Sequence, residues 1–68
     1  MIGMPYQSNE DLPKSITDHL PDHAQLIFRK AFNSAYEQYG TEEQAFKVAW
    51  AAVKKVYEKN AYGLWVEK

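Results

Sequence analysis

The densest group of side chains able to do chemistry is Asp18-His19-Leu20-Pro21-Asp22-His23, which sets two imidazoles beside two carboxylates. On an unbroken helix the four-residue spacing of His19 and His23 would place both rings on one face, as in helical zinc sites. Pro21 lies between them and disfavours helical geometry at Leu20, so the rings need not share a face. With no well-placed third ligand, the group reads as charges decorating helix ends, and no metal site is expected. Glu10, Asp11, Asp18, Asp22, Glu42 and Glu43 lack the alternating-aspartate loop and closing glutamate that calcium requires, and they suit solvated helix starts. No nucleophile beside a base, glycine-rich phosphate loop or paired-carboxylate site is apparent, and 68 residues leave little room for an enclosed pocket. Neither an enzyme nor a cofactor is expected.

Two surfaces remain as candidates for recognition. Lys47, Lys54, Lys55 and Lys59 recur along one predicted helix and form a stripe that could meet phosphates, widened by Lys14, Arg29 and Lys30 if the fold gathers them. Glu43 stands four residues before Lys47 and Glu58 four after Lys54, which favours a solvated, locally neutralised face. The second surface is the polar side of the preceding helix, where Leu26 falls among Arg29, Lys30, Asn33 and Glu37. An apolar residue there either meets a neighbouring helix or forms part of a partner surface.

The elements that would carry these side chains follow from periodicity. The organising stretch is Ala45-Phe46-Lys47-Val48-Ala49-Trp50-Ala51-Ala52-Val53, within a predicted helix over residues 42–58. Ala45, Phe46, Val48, Ala49, Trp50, Ala52, Val53, Val56 and Tyr57 fall on one broad arc, which must be covered from more than one side. Trp50 is thereby assigned to the core. Before it, residues 22–39 repeat Ala24, Ile27, Phe28, Ala31, Phe32, Ala35 and Tyr39 at the spacing of a single buried face. Gly40 fits a left-handed cap, and Thr41 with Gln44 forms a capping-box pattern, so these helices should make an antiparallel pair. A short helix over residues 13–19, with Asp11 as its cap, would pack Leu12, Ile16 and Leu20. Leu64-Trp65-Val66 has strand character and is expected to pair with Met4-Pro5-Tyr6 as a two-stranded patch. The fold class is therefore all-α: a single, irregular three-helix domain over residues 1–68, its core at about 4–66, with a minor β patch from the chain ends.

Composition bounds the rest. A chain this short buries only roughly 60% of its unfolded surface and should be stable by about 3 to 10 kcal/mol. It has no cysteine, so no disulfide or thiolate site holds it together, and a reducing cytoplasmic location is compatible. No apolar run is long enough to span a bilayer, and the start lacks the pattern of a signal peptide, so no direct membrane insertion is expected. A net charge of -1 opposes strong generic attraction to nucleic acid or anionic lipid, local patches aside. Oligomeric state is left open, since surplus aromatics such as Trp65 could seal a self-interface.

Leu20-Pro21-Asp22-His23-Ala24-Gln25, then Ala31-Phe32-Asn33-Ser34-Ala35, then Lys47-Val48-Ala49-Trp50-Ala51-Ala52-Val53-Lys54 with Tyr57 resemble the successive blocks of the ChaB family. Met4-Pro5-Tyr6 and Asp11-Leu12-Pro13 match as well, so the resemblance extends over nearly the whole chain. It implies a small helical domain and a non-enzymatic regulator of cation transport, linked with a calcium or sodium/proton antiporter. The implied partner is a protein, and the wet face of the helix over residues 22–39, Leu26, Arg29, Lys30 and Asn33, is the expected contact. Viral relatives of the family are associated with DNA binding, which sustains an alternative: a weak nucleic-acid-binding module using Lys47, Lys54 and Lys55. The Gly40-Thr41 turn is shorter than the charged insertion of some members, and the Tyr62-Gly63-Leu64-Trp65-Val66 end is more apolar than their lysine-rich tail.

Overall fold

Helices account for the core and a short β-ribbon closes one side of it. The computed structural model describes residues 5–68. A 3-10 turn at Asn9–Asp11 leads to α1, Lys14–Thr17; α2, Asp22–Tyr39, and α3, Glu42–Val56, follow, and the chain ends in β1, Tyr57–Lys59, and β2, Trp65–Glu67.

The α2 boundaries agree with the sequence pattern at both ends. Gly40 adopts φ 76°, and its N-H donates to the Tyr36 carbonyl at 2.8 Å, ending α2 in the left-handed conformation that glycine tolerates. Thr41 starts α3 by accepting the Gln44 N-H on Oγ1 at 3.4 Å. A connection this short folds the two helices back on each other as an antiparallel pair.

Three expectations need correction. First, α1 is a single turn, and Asp11 does not cap it: Pro13 occupies the cap position, while Asp11 Oδ2 accepts the Gln7 and Ser8 N-H groups at 3.3 and 3.2 Å. Second, α3 stops at Val56 instead of continuing to Glu58, because Tyr57 turns extended at φ -119°, ψ 156° and enters a ladder. Third, the two-stranded patch exists but its strands are neighbours in sequence. Tyr57, Glu58 and Lys59 pair antiparallel with Glu67, Val66 and Trp65 respectively. Asn60-Ala61-Tyr62-Gly63 forms the connecting turn, in which Asn60 Oδ1 accepts the Tyr62 and Leu64 N-H groups, both at 2.9 Å. Pro5 and Tyr6 belong to no strand, and Met4 lies outside the described residues. A short local hairpin costs less loop-closure entropy than joining segments from opposite chain ends.

The buried set is Leu12, Ile16, Leu20, Ala24, Phe28, Phe32, Ala35, Ala45, Ala49, Val53 and Tyr57. Small alanines on α3 let it approach α2 closely, and aromatic rings fill the remaining volume. Trp65 packs on Trp50 with ring centroids 5.5 Å apart, Trp50 meets Phe28 edge-on at 5.3 Å, and Phe46 contacts both Phe28 and Phe32. Tyr6 closes the row against Phe32 at 4.9 Å. These spacings are those of tilted and edge-to-face aromatic pairs. Trp50 is thus a core-facing residue, as expected, though half-buried, and Trp65 is its cover and not a surplus aromatic. Val56, assigned to the apolar arc, is 40% exposed, since the chain leaves the helix immediately after it.

Candidate functional site

Along α2, Gln25, Arg29 and Asn33 recur every fourth residue and so share a stripe. All three reach the backbone of the segments that precede the helix. Gln25 Nε2 donates to the Leu20 and Thr17 carbonyls at 2.7 and 3.3 Å. Arg29 Nε donates to Asn9 Oδ1 at 3.0 Å and its guanidinium also to the Gln7 carbonyl at 3.2 Å. Asn33 grips Tyr6 twice, donating Nδ2-H to its carbonyl at 2.7 Å and accepting its N-H on Oδ1 at 3.1 Å. These side chains satisfy carbonyls that no regular ladder could reach.

This placement revises the wet face. Asn33 is only 8% exposed and Arg29 is half-buried, so both act first as fasteners for the N-terminal segment. Leu26 is half-buried, whereas Lys30, Ser34 and Glu37 are exposed. Arg29, Lys30, Asn33, Ser34 and Glu37 together line a shallow groove of about 310 Å³. Of the four residues singled out from sequence, Arg29, Lys30 and Asn33 line this groove and Leu26 does not, and only Lys30 is exposed. The fastening role was signalled by polar side chains at four-residue spacing beside the buried Ala24, Phe28 and Phe32, of which Arg29 and Asn33 were set on the wet side and Gln25 was given no place.

The lysines divide similarly. Lys47 Nζ lies 3.7 Å from Glu43 in an exposed pair of adjacent turns, which contributes little. Lys54 and Lys55 are exposed in the last turn of α3, where the helix dipole favours cations. Lys54 shares a concavity of about 320 Å³ with Tyr57, Glu58, Lys59, Trp65 and Lys68. Lys59 Nζ lies 6.0 Å from the centre of the Trp65 ring.

The histidines take separate partners. His19 Nδ1 donates to the Ser15 carbonyl at 2.7 Å, and His23 Nδ1 lies 3.2 Å from the Tyr57 hydroxyl and 3.7 Å from Glu67 Oε1. Tyr57 in turn donates to Glu67 Oε1 at 3.4 Å, joining the start of α2 to the β-ribbon. Burial, and then the charge and hydrogen bond of Glu67, raise the Tyr57 phenol above its ordinary 10.0. Burial, and then Glu42, raise Tyr6 likewise. Among the described residues no group of three or more His, Cys, Asp or Glu is placed to hold a metal ion. Nor, among them, is any helix long and apolar enough to cross a membrane.

A ChaB family model matches residues 12–68. Two curated relatives, from Escherichia coli strain K12 and from Shigella flexneri, are each described as "putative cation transport regulator ChaB". Both are 47% identical over 75 residues, covering 96% of this chain and 99% of their own. That alignment is longer than the 68-residue chain, so the relatives carry residues that it lacks. A solution NMR structure of the "putative cation transport regulator ChaB" superposes with a TM-score of 0.84 at 46% identity, covering 94% of this chain and 99% of the other.

Proposed function

Because the chain belongs to the ChaB family, we propose that it is a non-enzymatic regulator of a cation-transport system, acting on the cytoplasmic side through contact with a calcium or sodium/proton antiporter. The observation that carries this reading is the match along nearly the full length of relatives described as "putative cation transport regulator ChaB". The contact surface is the exposed side of α2, with Leu26, Arg29, Lys30 and Asn33 as its sequence signature and the groove bounded by Lys30, Ser34 and Glu37 as its accessible part. Within it, Arg29 and Asn33 set the shape by holding the N-terminal segment, and Lys30 and Glu37 supply charges of opposite sign one above the other.

The test is capture of a detergent-solubilised antiporter of either class by the immobilised chain. Lys30→Glu combined with Glu37→Lys reverses both exposed charges without touching the fasteners, and is expected to abolish capture. Undiminished capture by this variant would remove the α2 groove from the contact. Failure of the unaltered chain to capture either antiporter class would remove the proposed partner.

A further inference from the structure

We propose that the β1–β2 hairpin and the last turn of α3 form a peripheral docking surface for an anionic phospholipid bilayer. This goes beyond the antiporter contact and needs no protein partner. Two independent features converge on it. Of the large apolar side chains that stay exposed, Val56 at 40%, Tyr62 at 88%, Leu64 at 61% and Val66 at 38% all belong to this one segment, Tyr39 alone lying elsewhere among the described residues. The same segment carries Lys54, Lys55, Lys59 and Lys68, all exposed and none in an ion pair within the described residues, with Glu58 exposed opposite Val66 in the ladder. Residues 54–68 hold four lysines against two glutamates, and Glu67 is turned toward His23 and Tyr57. Residues 1–43, by contrast, hold seven acidic against three basic side chains, so the net charge of -1 conceals a segregation of sign along the chain. A locally lysine-rich patch attracts a surface of opposite sign even when the net charge is small.

The chemistry of the patch favours a bilayer over other polyanions. Trp65 is covered by Trp50 on one side and has the Lys59 amine near its ring, so it is not a free platform for stacking a base. Leu64, Val66 and Val56 would gain nothing from phosphates or base edges. A bilayer interface asks only for shallow immersion of a few apolar groups, an amphipathic ring such as Tyr62 at headgroup depth, and long cationic side chains reaching the phosphates.

The experiment is cosedimentation of the full chain with phosphatidylcholine vesicles, with and without phosphatidylglycerol, at low and at moderate salt. Sedimentation is expected only with phosphatidylglycerol and should weaken as salt rises. Removing one lysine should lower partitioning about five-fold, so Lys54→Gln with Lys59→Gln should lower it about twenty-five-fold. Tyr62→Ser with Leu64→Ser should also release the chain while leaving thermal melting unchanged, since both residues are exposed. The Lys30→Glu/Glu37→Lys variant of α2 should bind vesicles normally, which separates this surface from the antiporter contact. No phosphatidylglycerol-dependent sedimentation would overturn the proposal. So would sensitivity to the lysine variant with indifference to the Tyr62/Leu64 variant, the signature of a general polyanion site that duplex DNA would fill equally well.

Discussion

Replacing Asn33 by alanine isolates the fastening of the N-terminal segment. The side chain makes two hydrogen bonds among the described residues, 3.1 and 2.7 Å, both to the backbone of Tyr6. Each such bond is worth about 1 kcal/mol net. If the segment detaches, the Tyr6–Phe32 ring contact at 4.9 Å goes with it, adding about 0.5 to 1.5 kcal/mol. Tyr6 is only half-buried, so its freed amide and carbonyl can reach water and the penalty for leaving them unpaired is small. The expected total is about 2.5 to 3.5 kcal/mol, a large part of the roughly 3 to 10 kcal/mol available to a domain of this length. Urea denaturation followed by circular dichroism measures the loss, and hydrogen exchange at the Tyr6 amide reports whether the segment has let go. Asn33→Asp should do no better at neutral pH, because an oxygen replaces the donor that faces the Tyr6 carbonyl. In a double-mutant cycle with Tyr6→Ala the costs should add to less than their sum, since either change frees the same segment. An unchanged denaturation midpoint with unchanged Tyr6 exchange in Asn33→Ala would refute the fastening role.

Trp50→Ala should cost about 3 kcal/mol, the lower end for a large aromatic because Trp50 is half-buried, and calorimetric melting that is unaltered would contradict its place against Phe28. Gly40→Ala should destabilise by about 1 to 2 kcal/mol from backbone conformation alone, since a Cβ there meets nothing within 4 Å; Gly40→Asn should lose less in the same urea titration. For Tyr57, the unfolded chain ionises at its ordinary 10.0 while the folded chain holds its proton to higher pH. Its contribution is therefore complete below pH 10.0 and lost as pH rises through the folded value. Stability measured across this alkaline range should fall less steeply in Tyr57→Phe than in the unaltered chain.

The pairing of α2 with α3 was legible in the sequence because burial, capping and turn chemistry all pointed the same way there, whereas the single turn of α1 was not. Phe28, Phe32 and Ala35 marked the α2 face, Gly40 its end and Thr41 the start of α3. The ends of the chain were not, and for a physical reason. Tyr57 fits either the continuation of a helical arc or the first position of a strand, and only its partner Glu67, ten residues on, decides between them. The polar stripe on α2 failed differently. Periodicity separates polar from apolar, but it cannot distinguish a polar side chain bonded to water from one bonded to a carbonyl, and Gln25, Arg29 and Asn33 are of the second kind. Of the expected contact residues, Lys30 keeps the exposure that the sequence suggested. The cluster of Lys54, Lys59 and Lys68 around Trp65 needed the hairpin, which no helical projection could supply.

The contact between Trp50 and Trp65 also gives the protein an optical signature. Two indoles with centroids 5.5 Å apart and planes inclined at 33° are close enough and skewed enough for their electronic transitions to couple. The coupled pair should produce a split circular dichroism band superimposed on the helical spectrum. Release of the hairpin from α3 would erase that band while leaving the backbone signal of α2 and α3 in place. The native spectrum therefore contains a label-free gauge of hairpin docking, distinct from the one for helix content.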